Sequence, residues 1–176
     1  MKKLLLILLC LPFIGFGQNQ GLEFLDSKRG YKDYCIGRTL TSLLGQIKYL
    51  GRYDDGRFGF AGLTELYFEG ARIKDIILIS KDSITINSVA INLDVICSAD
   101  FKTNTLFIDI NNKLKRVFGE NTGYNYNDNT GEYLFSWNAN QTRLEFWTIW
   151  DSKKRVYTGS IVFSPLISIK EEREKF

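Results

Sequence analysis

The sequence predicts an α+β fold of two layers, with antiparallel β-meanders and helices on one face. Three observations predict it. Apolar residues recur at helical spacing in residues 40–50 and again in residues 106–118. Strand-like runs bounded by short polar turns follow each of those stretches. Both halves also share one order, a helix and then three strands, which reads as a tandem α-β-β-β repeat. The boundaries that follow are a signal peptide at 1–17, a first unit at 18–102, a second unit at 103–168 and a charged tail at 169–176.

The chain opens with a positive n-region, Lys2 and Lys3, and an apolar run over residues 4–14 interrupted by Pro12. Gly15 and Gly17 are small residues where a signal peptidase reads, so cleavage is expected after Gly17. The apolar run is too short for a transmembrane helix. This pattern predicts export, to the periplasm or beyond the cell, and a mature chain with no transmembrane span. Cys10 lies within that run. Ile7, Leu8 and Leu9 precede it where a lipobox would place a small residue, which argues against lipidation.

Removing the first 17 of 176 residues leaves 159, enough for one domain or two small units around a shared core. The hydrophobic share of 44% and aromatic share of 14% fit a globular, β-rich chain rather than a disordered one. Loss of Lys2 and Lys3 takes the 23 basic residues to 21 against 20 acidic ones, a net charge of +1. That balance gives no nucleic-acid footprint. Histidine is absent, which removes Ser-His-Asp and Cys-His catalysis and His-ligated metals. No cofactor or metal is implied.

Along the mature chain, residues 22–25 read as a short strand or turn. Thr39 is a good N-cap, and Leu40, Leu43, Leu44, Ile47 and Leu50 form one helical stripe, with Gly51 as its left-handed stop. Strands are expected at 63–69, 73–80 and 84–97. A second helix spans about 105–118, with Ile110, Leu114, Val117 and Phe118 on its apolar side, basic residues in its last turns and Gly119 at its end. Residues 121–131 read as a polar loop. A meander follows at 132–137, 142–150 and 155–164, closed by Pro165.

A helix ending in a bulky residue and Gly, an Asn/Asp/Gly loop and a Trp-bearing meander occur here behind a signal peptide. This pattern resembles small exported bacterial α+β proteins of the outer-membrane assembly lipoprotein and β-lactamase-inhibitor-protein type. The matching stretches are residues 39–80 and 105–164. The resemblance implies binding rather than catalysis; the missing lipobox departs from its lipoprotein members.

The candidate site centres on residues 144–150. Successive strand residues face opposite sides, so Leu144, Phe146, Thr148 and Trp150 share one face and Glu145, Trp147 and Ile149 the other. Two apolar faces suit a central strand covered on both sides, or a strand with one face turned to a partner. In the second case the binding residues are Trp147 and Trp150, with Trp137, Tyr133 and Tyr157 extending the patch. Cys35 and Cys97 permit a disulfide in an oxidising compartment, which in the chain-entropy model adds about 4 kcal/mol; otherwise they are small buried hydrophobes.

Other motifs are weaker. Residues 125–132 place oxygen ligands at alternate positions like a calcium loop, but the twelfth position is Ser136, so an Asn-rich turn is expected. Asp54 and Asp55 precede Gly56 as in a type I turn, with no second carboxylate set opposite them. Residues 153–155 form a basic hairpin tip.

The expected function is an exported, non-enzymatic protein-binding or envelope-assembly module. Its expected partner is another envelope or extracellular protein. A glycan- or lipid-contacting envelope protein is the alternative, and a His-free carboxylate hydrolase a weaker one.

Overall fold

A computed structural model describes residues 21–62, 67–98 and 105–166. The signal peptide, Cys10, residues 63–66 of the first expected strand and the charged tail lie outside the described residues. The fold is a mixed α+β one, dominated by a large antiparallel sheet. In chain order the elements are α1 (Gly21–Lys28), β1 (Gly30–Tyr31), β2 (Tyr34–Cys35), a 3-10 turn (Leu40–Leu43), β3 (Ile47–Arg52), β4 (Phe58–Gly62), β5 (Tyr67–Phe68), β6 (Ala71–Ser80) and β7 (Ser88–Ser98). They continue with α2 (Thr105–Phe118), β8 (Gly123–Asn127), β9 (Glu132–Asn138), β10 (Thr142–Asp151) and β11 (Val156–Pro165). No helix of the described residues is long and apolar enough to cross a membrane.

The sheet runs β3-β4-β6-β7-β11-β10-β9-β8, with β5 pairing on β6. It consists of two meanders that each finish at the centre, where β7 lies beside β11. The core is built from one side of these strands: Ile76 and Leu78 of β6, Ile91 and Leu93 of β7, Leu144 and Phe146 of β10, and Ile161 and Phe163 of β11 are all buried. Period-two alternation of large apolar side chains is what makes each run a strand with one buried side.

The first expected helix is corrected. Residues 40–43 form a 3-10 turn, and β3 follows. Gly45, at φ +82, interrupts the stripe where a helix would need right-handed backbone. The run from Ile47 then pairs with β4 instead. Leu44 and Leu50, which a helical stripe would bury, are 78% and 50% exposed. Thr39 makes no side-chain cap; it bridges to Thr85 of the segment before β7. Residues 22–25, expected as strand or turn, belong to α1, which buries Leu25.

The second expected helix forms as α2, with Ile110, Leu114 and Phe118 buried. Gly119 ends it at φ +85, its N–H donating to the Lys115 carbonyl at 2.8 Å. Residues 121–131, expected as loop, contain the edge strand β8. No disulfide joins Cys35 to Cys97. Cys97 is buried on β7, opposite Tyr157 in the β11 register. Cys35 lies on β2, where its thiol donates to the Lys32 carbonyl at 3.3 Å. Burial pushes the Cys35 thiol up despite nearby Arg38, which disfavours the reactive thiolate.

Gly159 sits where the core leaves no room. A Cβ there would meet Ile96, Leu93 and Phe146 side chains at 3.1 to 3.3 Å. Gly159→Val is expected to destabilise the protein by about 1–3 kcal/mol through overpacking, read as a lower urea midpoint at unchanged m-value.

The turn between β6 and β7 is organised by one carboxylate. Asp82 accepts from the Ser80 hydroxyl, the Ile84 and Thr85 amides and the Thr85 hydroxyl, all at 2.8–2.9 Å. These bonds, led by the two backbone amides, hold its pKa far below the usual carboxylate range. A depressed folded-state pKa stabilises the ordered turn above the unfolded value of about 3.9, and the contribution is lost as pH falls below it. Asp82→Ala is therefore expected to speed amide exchange at Ile84 and Thr85 at neutral pH. In the wild type, the same amide resonances are expected to stay in place through about pH 4 and to move only well below it, where the folded Asp82 takes up its proton.

Candidate binding face

Strand β10 has two unlike sides. Leu144, Phe146 and Thr148 are buried, and the Thr148 hydroxyl accepts from the Tyr133 amide at 2.6 Å. On the other side Trp147 is 39% and Ile149 45% exposed. The strand is thus not covered on both sides: one side carries core, and the other presents an indole and a branched aliphatic chain.

The register extends that exposed side across the sheet. Trp147 pairs with Leu134 on β9 and with Ser160 on β11, and Ser160 pairs with Asn92 on β7. A polar ladder runs on from there. The Ser160 hydroxyl donates to the Asn92 amide oxygen at 2.9 Å, and the Asn92 Nδ2 donates to Asp75 at 2.6 Å. In the adjacent row Ile149 pairs with Thr158, which pairs with Val95, 42% exposed. Trp147, Ile149 and Val95 therefore share one face with small polar residues between them.

Along β10 itself, Arg143 holds Glu145 in an ion pair at 2.6 Å, and the Trp147 Nε1 donates to Glu145 Oε2 at 3.3 Å. The three side chains stand at i, i+2 and i+4 on the same side. This fixes the indole edge of a Trp that is part exposed. An ordered Trp beside an Arg–Glu pair has the composition of an interface anchor, apolar area with defined polar contacts. Among the described residues no three His, Cys, Asp or Glu side chains come together. Asp55 is held by Arg57 at 2.6 Å within its turn.

The other four expected aromatics stand on the opposite side. Trp137 is fully buried and its Nε1 donates to the Gly119 carbonyl at 2.8 Å. Tyr133 packs on Phe107 at 5.6 Å and on Tyr126 at 4.7 Å between ring centroids. Trp150 lies against the buried Tyr157 at 4.7 Å, and the Tyr157 hydroxyl donates to the Thr130 carbonyl at 3.3 Å. Burial pushes the Tyr133 and Tyr157 phenols above the ordinary tyrosine range. Trp147 alone of the five faces outward with Ile149.

Sequence reading missed Val95 and the exposed edge tyrosines Tyr124 and Tyr126 on β8. The signal for the tyrosines was their alternation within Gly123–Asn127, masked by turn-forming Asn residues. No protein-family model matches this chain, and neither a curated protein nor a solved structure matches it.

Proposed function

We propose that this is an exported, non-enzymatic binding module that recognises another envelope or extracellular protein through the Trp147 face. The observation that carries the reading is the exposure of Trp147 and Ile149 on a strand whose other side is core. Trp and Arg are among the residues enriched at interface hot spots, and here Glu145 links Trp147 to Arg143. Export rests on the n-region, apolar run and small residues of positions 1–17.

The helices are proposed to lie on one face of the sheet, opposite Trp147. Phe107 of α2 packs on Phe135 and Phe146, and Trp137 reaches the α2 end at Gly119. All three sheet residues have the side-chain parity opposite to Trp147. The course of the two meanders, each finishing at the sheet centre, supports a tandem duplication of the sheet unit. The resemblance to exported assembly and inhibitor proteins remains one of pattern and points the same way, toward binding.

The test is capture from the organism's own envelope and culture fractions with the immobilised protein, followed by affinity measurement on the purified partner. A Trp147→Ala, Ile149→Ser variant that keeps its circular dichroism spectrum is expected to lose at least about tenfold in affinity. Equal affinity of the folded variant would overturn the reading. Binding of a glycan array in place of any protein would favour the glycan-contacting alternative, in which the same indole stacks on a sugar ring.

A further inference from the structure

Between α2 and the central strands lies an apolar cavity of about 120 Å³. Ile91, Ile161 and Phe163 line it from the sheet, Leu114 and Val117 from α2, and Phe68 from β5. It is on the side of the sheet away from Trp147, since Ile161 pairs with Phe146. Among its described lining residues Lys113 is the sole charged side chain. The volume is close to that of an engineered apolar cavity known to admit a benzene-sized molecule, of about 150 Å³.

Lys113 already holds a carboxylate. Its Nζ lies 3.1 Å from Glu69 Oε1, and both side chains are more than a third exposed. Glu69 is brought there by a two-residue hairpin turn, with Glu69 at φ +46 and Gly70 at φ +83 between the paired Phe68 and Ala71. An exposed ion pair of this kind is weak, so exchanging its carboxylate for another costs little. The ammonium also has three donors, enough for two carboxylates at once.

We propose that this cavity binds a short aliphatic carboxylate, its chain among Ile91, Leu114, Val117 and Phe68 and its head group on Lys113 Nζ. Apolar walls with one cation at the rim select that amphipathic shape over a neutral hydrocarbon or a polar anion. Chain length sets affinity, by about fourfold for each methylene buried, until the cavity is filled.

The test titrates the purified protein with sodium hexanoate, sodium butanoate and 1-hexanol, read by methyl NMR. Saturable shifts are expected at Ile91, Leu114, Val117 and Ile161, with hexanoate about fifteenfold tighter than butanoate. Lys113→Met is expected to weaken hexanoate about threefold and to leave 1-hexanol unchanged. Val117→Phe, which fills the cavity, is expected to abolish the shifts. No saturable shift, shifts that persist in a folded Val117→Phe, or hexanoate affinity indifferent to Lys113→Met would each overturn the proposal. If Val117→Phe does not fold, the Lys113→Met comparison of hexanoate with 1-hexanol decides it.

Discussion

Trp137→Ala is expected to lower stability by about 3–5 kcal/mol. Trp137 is the largest of its fully buried side chains. Its removal leaves a cavity beside β9, a strand that pairs with β10 on one side and β8 on the other, so the backbone has little freedom to collapse inward. It also strips the Gly119 carbonyl of the indole N–H at 2.8 Å. That carbonyl lies just past the end of α2, where helix carbonyls lack intrahelical donors. Trp137→Phe separates the two effects: it keeps an aromatic ring and loses the bond. Urea unfolding is expected to place it between wild type and Trp137→Ala, with the α2 amides near Lys115 and Phe118 exchanging faster than in wild type.

Neighbouring positions on β10 are expected to respond oppositely. Phe146→Ala should cost about 3–5 kcal/mol, because the ring is fully buried and packs on Phe107 at 5.8 Å and Phe135 at 6.3 Å. Trp147→Ala, one residue on, should cost about 1 kcal/mol or less, because its ring stands on the exposed side and its indole N–H donates only to Glu145 among the described residues. The larger residue is thus the cheaper one to truncate. Denaturant midpoints of the two variants, measured side by side, check this. A Trp147→Ala loss as large as that of Phe146→Ala would mean that the outward side of β10 is covered in solution.

Much of the fold was legible because the central elements have unambiguous periods. The alternations of β6, β7, β10 and β11 and the i, i+4, i+8 positions Ile110, Leu114 and Phe118 of α2 each fit one kind of element. The stretch from Leu40 to Leu50 fits two. Its helical stripe is real as spacing, but Gly45 breaks it and pairing with β4 stabilises the extended form of its second half. Strand β8 was hidden because Asn is a turn former, and only pairing with β9 makes Gly123–Asn127 a strand.

The site was legible in part for a related reason. Alternation alone divides Trp147 and Ile149 from Phe146 and Thr148. Which side is covered depends on where α2 packs, a long-range choice that local sequence does not encode. The wider aromatic patch fails on parity. Trp137 pairs with Leu144 and Tyr157 with Trp150, so register sends all of these to the side opposite Trp147. Residue type alone grouped them with Trp147.

The most direct measurement is the partner affinity of Trp147→Ala set beside that of Tyr157→Phe, both checked for unfolding midpoint. Trp147 lies on the proposed binding face, whereas Tyr157 is buried on the opposite side. The expected result is a near-wild-type midpoint with at least about tenfold weaker binding for Trp147→Ala, and unchanged binding for Tyr157→Phe. Unchanged affinity in a folded Trp147→Ala would contradict a binding role for this face.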